Sequence, residues 1–279
     1  AAMYKAKNEG KGRIEVFEEE LREQIAAELE LEADLRNAIV RGELELHYQP
    51  IVDLVSNEVV SVEALLRWNH PARGPVPPAV FVPIAERNGL IVDIGRFVLK
   101  EACAQLGAWT RSAGPVQMCV NISGRQLRDR SLVGDVKAAL AAAGVDPRGL
   151  TLEITETSLV QDNPVTSESL RRLKELGVTI AIDDFGAGYS SLSYLRRFPI
   201  DVLKIDRELV AGVAGTAGEA ALARAVVQLG QTLGLGIVAE GIESRDQLDA
   251  LAALGCRTGQ GFYFARPAPA GAVQLGATV

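Results

Sequence analysis

Leu150-Thr151-Leu152-Glu153-Ile154-Thr155, Thr179-Ile180-Ala181-Ile182-Asp183 and Val202-Leu203-Lys204-Ile205-Asp206 are the runs whose reading decides the fold. Each is short and nearly all apolar, the pattern of a strand covered on both faces. Helical spacing at Thr166–Leu176 separates the first two, and a second helix is expected at Ser190–Arg197 before the third. Strand, helix and strand in repetition imply parallel pairing with right-handed crossovers.

The same alternation extends in both directions. Further strands are expected at Leu44–Val52, Val59–Arg67, Gln117–Ser123, Gly236–Glu240 and Thr258–Phe264. Helices are expected at Pro78–Asn88, Asp93–Ser112, Gly124–Ala143, Gly218–Leu233 and Arg245–Leu254. Eight strands in an α/β chain of 279 residues suit a (β/α)8 TIM-like barrel, which needs about 250 residues. Leu44–Val52 and Val59–Arg67 are separated only by Asp53–Glu58, too short for a helical crossover, so this early pair is expected to be antiparallel. Ahead of it, Leu21, Ile25, Leu29, Leu35 and Ile39 predict an amphipathic helix over residues 18–41, stopped by Gly42. Residues 1–17 read as a polar segment broken by Gly10 and Gly12, and 269–279 as a loose Ala/Gly/Pro tail.

Bulk properties narrow the chemistry. A net charge of −7 argues against a chain that coats DNA or an anionic membrane, while a bound cation can reverse the sign of an acidic pocket for a small anionic ligand. Cys103, Cys119 and Cys256 are scattered in apolar context and read as buried free thiols of a cytoplasmic protein. With only His47 and His70 available, any metal must rest on oxygen ligands. No apolar stretch reaches the roughly 18 residues needed to span a bilayer. The opening Ala-Ala-Met-Tyr-Lys is no secretory signal and reads as part of something longer.

Polar groups interrupt the apolar runs at similar positions: Glu63, Asn121, Glu153 with Glu156, Asp183 with Asp184, Lys204 with Asp206, Glu240 with Glu243, and Gln260. A buried isolated carboxylate is costly, so these groups must be paired or hold a cation. Barrel enzymes build their sites at strand C-termini, and carboxylates with one amide oxygen suit Mg²⁺ or Mn²⁺. Any one of them alone is equally a salt-bridged strand end; so many strands each carrying one favours a site. The Gly-punctuated stretch Asp183 to Ser191 reads as a lid or as a simple strand–helix turn.

Glu63-Ala64-Leu65, within Glu-Ala-Leu-Leu-Arg-Trp, is the signature triplet of the EAL family. The chain also resembles that family at Tyr48-Gln49-Pro50-Ile51, Phe81 to Glu86, Asn121-Ile122-Ser123, Glu153 to Glu156, Asp183 to Gly188, Leu203 to Asp206, Ala239 to Glu243 and Gln260-Gly261-Phe262, over roughly Glu32 to Pro267. The resemblance implies hydrolysis of cyclic di-GMP to linear pGpG with two Mg²⁺ or Mn²⁺ ions. It implies that Glu63, Asn121, Glu153 and Asp183 hold the first metal, and that Asp183 bridges to a second beside Asp184 and Glu240. Lys204, Glu240 and Glu63 are then the catalytic set, with Lys204 on the water or phosphate and Glu240 a general-base candidate. Arg67, Gln49 and Gln260 bind substrate or support its shell, and Glu156 braces the loop after Asp183. Phe262 stands where Tyr is frequent, a position expected to lie away from the chemistry. Residues 1–13 resemble the end of a GGDEF cyclase domain, so a tandem protein is expected: a GGDEF tail at 1–17, a connecting helix at 18–41 and an EAL barrel at 42–268. A homodimer is implied as well. The rival readings are a catalytically silent cyclic di-GMP receptor and an unrelated barrel enzyme of the enolase kind.

Overall fold

The structure, a computed structural model, describes residues 12–159, 163–186, 195 and 197–275. Its elements in chain order are α1 (Gly12–Ala38), β1 (Leu44–Asp53), β2 (Val59–His70), β3 (Gly74–Val76), α2 (Pro78–Asn88), α3 (Leu90–Ala113), β4 (Gln117–Asn121), α4 (Gly124–Leu127), α5 (Leu132–Ala143), β5 (Leu150–Thr155), α6 (Glu156–Leu159), α7 (Pro164–Leu176), β6 (Thr179–Phe185), β7 (Val202–Ile205), α8 (Arg207–Ala211), α9 (Ala217–Leu233), β8 (Gly236–Ala239), α10 (Arg245–Ala253) and β9 (Thr258–Gly259). They fall into two compact units, one within 1–45 and 68–90, the other within 46–67 and 91–279.

In the first unit, Leu31, Leu35 and Ala38 bury one face of α1, and Trp68 and Phe81 meet edge to face at 5.6 Å. Trp68 Nε1 donates to Glu43 at 3.0 Å, and His70 Nε2 lies 3.1 Å from Asp34 on α1. Strand β3 pairs antiparallel with the end of β2, Trp68 opposite Val76. Three residues containing a proline carry no readable alternation, and proline belongs at a sheet edge, so this strand was not foreseen.

The second unit holds the barrel. Strands follow one another in the order β1, β9, β8, β7, β6, β5, β4, β2, and β1 pairs with β2 to close the ring of eight. Five consecutive pairings from β2–β4 to β7–β8, and β8–β9 after them, are parallel. β1 runs against both neighbours. It is antiparallel to β9, and its amide bonds Asp53 N to Glu58 O (2.9 Å), with Asn69 N to Glu43 O (2.8 Å), set it antiparallel to β2. The short Asp53–Glu58 connection thus reverses a strand as expected.

Several boundaries differ from the sequence reading, each for a local reason. Helix α1 starts at Gly12, inside the segment read as a broken polar tail, and ends at Ala38 rather than 41. There the chain tightens through Glu43 N to Ala38 O (2.9 Å) before Gly42 takes a φ of +69°. The single helix expected at Gly124–Ala143 is two. Ser123 and Gln126 form a capping box on α4, and Asp129 then accepts the Ser131 amide at 2.8 Å, ending one helix and opening the next. Strand β9 stops at Gly259 instead of Phe264, because Tyr263 N is drawn to Ile242 O at 3.0 Å. The tail is ordered at its start: Ala268 exchanges both backbone bonds with Tyr48, and Ala270–Ala272 makes one 3₁₀ turn. The helix expected at Ser190–Arg197, apart from helical Leu195 and Arg197, the loop from 187 to 194, the first eleven residues and 276–279 lie outside the described residues. The three cysteines are free and buried as expected. None of the described helices is long and apolar enough to cross a membrane.

The turn after β9 is fixed by backbone contact. A Cβ on Gly261 would lie 2.0 Å from the carbonyl oxygen of Ile242, whereas one on Gly134, inside α5, would meet nothing within 4 Å. Gly261→Ala must move backbone and is expected to cost about 2–3 kcal/mol, a fall of roughly 5 °C or more in melting temperature. Gly134→Ala gains helix propensity, about 0.5–1 kcal/mol, and should raise it. Thermal denaturation of the pair checks both signs.

Candidate active site

Parallel register decides where the acidic residues go. Glu63 on β2 sits beside Cys119, Asn121 on β4 beside Glu153, and Thr155 on β5 beside Asp183. Strand ends therefore step around one mouth of the barrel, and side chains two residues apart share the inner face. Leu152 and Ile154 are fully buried on the helix side, while Glu153 between them points inward and is equally buried.

At the centre is Lys204, 1% exposed. Its Nζ lies 2.6 Å from Glu240, 2.8 Å from Glu153, 3.3 Å from Asp183 and 3.6 Å from Glu63. Burial alone would favour the neutral amine, but these four carboxylates outweigh it and lift the lysine well above its ordinary value. A second layer fixes Glu63: Asn121 Nδ2 donates to its Oε1 at 2.7 Å and Gln260 Nε2 to its Oε2 at 2.8 Å. Gln260 Nε2 also reaches Gln49 Oε1 at 2.8 Å, and Gln49 in turn donates to the Ala265 carbonyl at 2.9 Å.

Asp183 and Asp184 are neighbours on a strand, where side chains should point to opposite faces. A bulge resolves this. Ile182 pairs with Leu203 and Phe185 with Ile205, so β6 spends one residue more than β7 over that interval. Asp184 takes a φ of +54°, a left-handed conformation costing a non-glycine residue roughly 1–2 kcal/mol. The outcome is that oxygens of Asp183, Asp184 and Glu240 lie within 4.8 Å of one another. Glu156, buried at the start of α6, accepts the Gly186 amide at 3.4 Å, directly after the bulge.

The carboxylates differ in how they hold protons. Burial raises Glu63, but Lys204 and the amides of Gln260 and Asn121 outweigh it and leave its pKa lowered. Glu153 is pushed well above its ordinary value by burial, with Glu63, Asp183 and Glu240 as like charges opposing Lys204. Glu240 rises to about 8, chiefly through burial, with Lys204 pulling it down and Asp183 and Glu63 pushing it up. Five carboxylates stand against one ammonium here, and Glu153 Oε1 and Gln260 Oε1 are buried with no hydrogen-bond partner among the described residues. Orphaned acceptors and surplus negative charge fit divalent cations bound by oxygen.

A cavity of about 270 Å³ opens above this cluster, bordered by Gln49, Glu63, Asp183, Glu240 and Gln260. Three further wall residues were not singled out from the sequence as ligand contacts: Arg207, Glu243 and Phe262. Phe262, expected to lie away from the chemistry, is half exposed on this wall, with the Arg266 guanidinium 4.2 Å from its ring centre. Conversely Arg67 is not on the wall, and its Nη1 donates to the Leu66 carbonyl at 2.9 Å. A larger cavity of about 740 Å³, lined by Val60, Leu106, Gln117 and Val145, lies at the N-terminal ends of β2 and β4. It lacks the carboxylate cluster and faces the end of a barrel associated with stability rather than chemistry.

Comparison with known proteins agrees with this geometry. The EAL domain family matches residues 32–267. MucR of Pseudomonas aeruginosa, a bifunctional diguanylate cyclase/cyclic di-GMP phosphodiesterase, is 44% identical over 97% of this chain and 40% of its own length. The cyclic di-GMP phosphodiesterase PdeR of Escherichia coli is 38% identical over 96% of this chain and 40% of its own length. A solved complex of the PaMucR phosphodiesterase with c-di-GMP, 45% identical, superposes with a TM-score of 0.83 over 87% of this chain and 98% of that one. The chain spans 32–40% of the length of the first curated relatives it matches.

The raised Glu240 gives a signed prediction. Its pKa is about 8 in the folded chain against an ordinary 4.5. Between those values the folded state binds more protons than the unfolded one, so stability falls as pH rises through the window. In EDTA the melting temperature should drop between pH 5 and pH 8, and Mg²⁺ should remove most of that drop. A flat profile in EDTA over this range would contradict the electrostatic account.

Proposed function

Since this chain belongs to the EAL domain family, we propose that it is a metal-dependent phosphodiesterase that hydrolyses cyclic di-GMP to linear 5′-pGpG and so lowers the messenger. One observation carries the reading: four strand-end carboxylates converge within 3.6 Å of the buried ammonium of Lys204. Such an assembly has no use as a mere salt bridge, because one cation cannot compensate that much buried negative charge.

Glu63, Asn121, Glu153 and Asp183 would hold a first divalent ion, and Asp183, Asp184 and Glu240 a second; Mg²⁺ or Mn²⁺ suits these donors. When bound, the ions stabilise charge on the phosphate oxygens and lower the pKa of water. The product 5′-pGpG keeps its phosphate on the 5′ oxygen, so the bond that breaks joins phosphorus to a 3′ oxygen. Lys204 places fixed positive charge where negative charge develops on the phosphoryl oxygens. Glu240 accepts the proton of the attacking water. Gln260 and Gln49 hold Glu63 in one orientation, and Arg67 steadies a phosphate from the rim. Glu156 braces the backbone that follows the Asp183-Asp184 bulge.

The same reading extends to the whole protein. Residues 1–17 would be the end of a GGDEF domain, its last residues already in α1; 18–41 would be a connector whose helix ends at Ala38, 42–268 the catalytic barrel and 269–279 a tail ordered at its start, and the active form would be a homodimer. Incubation with cyclic di-GMP and Mg²⁺ or Mn²⁺ should yield pGpG by chromatography, and EDTA should abolish it. Glu63→Ala should bring turnover to the detection limit at saturating metal. Parental rates from that variant would refute the assignment, and tight cyclic di-GMP binding without pGpG would make the domain a receptor.

A further inference from the structure

Among the described residues the cavity wall carries four carboxylates, Glu63, Asp183, Glu240 and Glu243, and one cation, Arg207. Lys204 lies beneath them, fully buried and already shared among its carboxylates. Arg207 is exposed and forms no ion pair among the described residues. A guanidinium on an acidic wall would ordinarily fold onto one of its carboxylates, and no such pair forms among the described residues. Here its stem is restrained instead. Arg207 is the first residue of α8, set by Asp206, which caps the helix by accepting the Glu208 amide at 2.8 Å. On its other side is Gly241, whose φ of +69° brings its backbone so close that a Cβ there would sit 2.5 Å from that of Arg207.

Building on the phosphodiesterase reading, we propose that Arg207 is a substrate-binding residue that clamps a phosphate of the cyclic dinucleotide at the cavity rim. The ligand carries two phosphodiesters, each with one negative charge. When one is at the Lys204 cluster, the other lies against a wall whose charged residues, among those described, are all acidic except Arg207. A guanidinium binds a phosphate through paired N–H donors, the geometry that ammonium cannot reproduce. Arg67, whose Nη1 donates to its neighbour's carbonyl, stands off this wall and acts from the rim, so Arg207 is a second guanidinium, on the wall itself.

The test compares the parent with Arg207→Met and Arg207→Lys in steady-state hydrolysis of cyclic di-GMP at several salt concentrations. Metal affinity is measured separately by calorimetry without nucleotide. Arg207→Met should raise KM about tenfold or more, lower kcat far less, and flatten the salt dependence of KM; Arg207→Lys should recover part of the loss. Metal binding should hold or tighten, because a cation has left an acidic wall. That opposite sign separates ligand binding from local collapse, which would weaken both. An unchanged KM in Arg207→Met overturns the proposal, as does a raised KM indifferent to salt or a joint loss of metal affinity. If the parent itself yields no pGpG and binds no cyclic di-GMP, the functional reading fails and this inference with it.

Discussion

One ammonium in the middle of a barrel, with four carboxylates around it, constrains everything else in the second unit. Lys204 is 1% exposed, and transferring such a group from water costs several kcal/mol unless its partners are placed correctly. The partners come from β2, β5, β6 and the end of β8, so the lysine is satisfied only if those four strands are in register. Slipping any strand by one residue would swap its inner and outer faces. A carboxylate would then lie against the apolar helix layer and a leucine or isoleucine among the charges. The polar cluster therefore specifies register as well as chemistry.

That dependence explains what could be read in advance. Strands covered on both faces appear as apolar runs, so β4, β5, β6, β7 and β8 were found within one to two residues, and the charged residues inside those runs marked the site. The short Asp53–Glu58 link announced the reversed strand because chain geometry forbids a crossover of that length. What stayed hidden depends on contacts between distant segments. The end of β9 is set by Ile242, which captures Tyr263, and nothing in Thr258–Phe264 itself announces that. The inward turn of both Asp183 and Asp184 depends on a bulge against β7, visible only once the register is known. Arg207 and Phe262 lie just beyond the strands, in α8 and a turn, where local pattern gives no direction to a side chain.

Rigidity and strain are divided between the two sides of the cavity. On one side, Gly261 packs against the Ile242 backbone so closely that no side chain fits, and Gln260, one residue earlier, points its amide to Glu63 and Gln49. On the other, Asp184 holds a left-handed φ at the bulge, and Glu156 meets the next backbone amide but one. Strain of this kind persists only when surrounding contacts over-determine it. The immobile side fixes Glu63, whose donors are both protein amides. The strained side carries Asp183, at 3.3 Å from Lys204, and Asp184, which forms no ion pair among the described residues.

The charge imbalance then orders the functional roles. Glu63, with an ammonium nearby and two amide donors, is held ionised below its ordinary range; Glu153 and Glu240, buried among like charges, keep protons. A fully ionised cluster would be unstable without added positive charge, and a fully protonated one would bind no cation. The chain sits between these limits, with one carboxylate committed and others available. Divalent ions bound there would exchange those protons for metal charge and, under the proposed function, turn a repulsive mouth into one that attracts an anionic diester. The net charge of −7 is thus no obstacle to an anionic ligand: under the proposed function the surplus carboxylates would recruit the cations on which a phosphate rests.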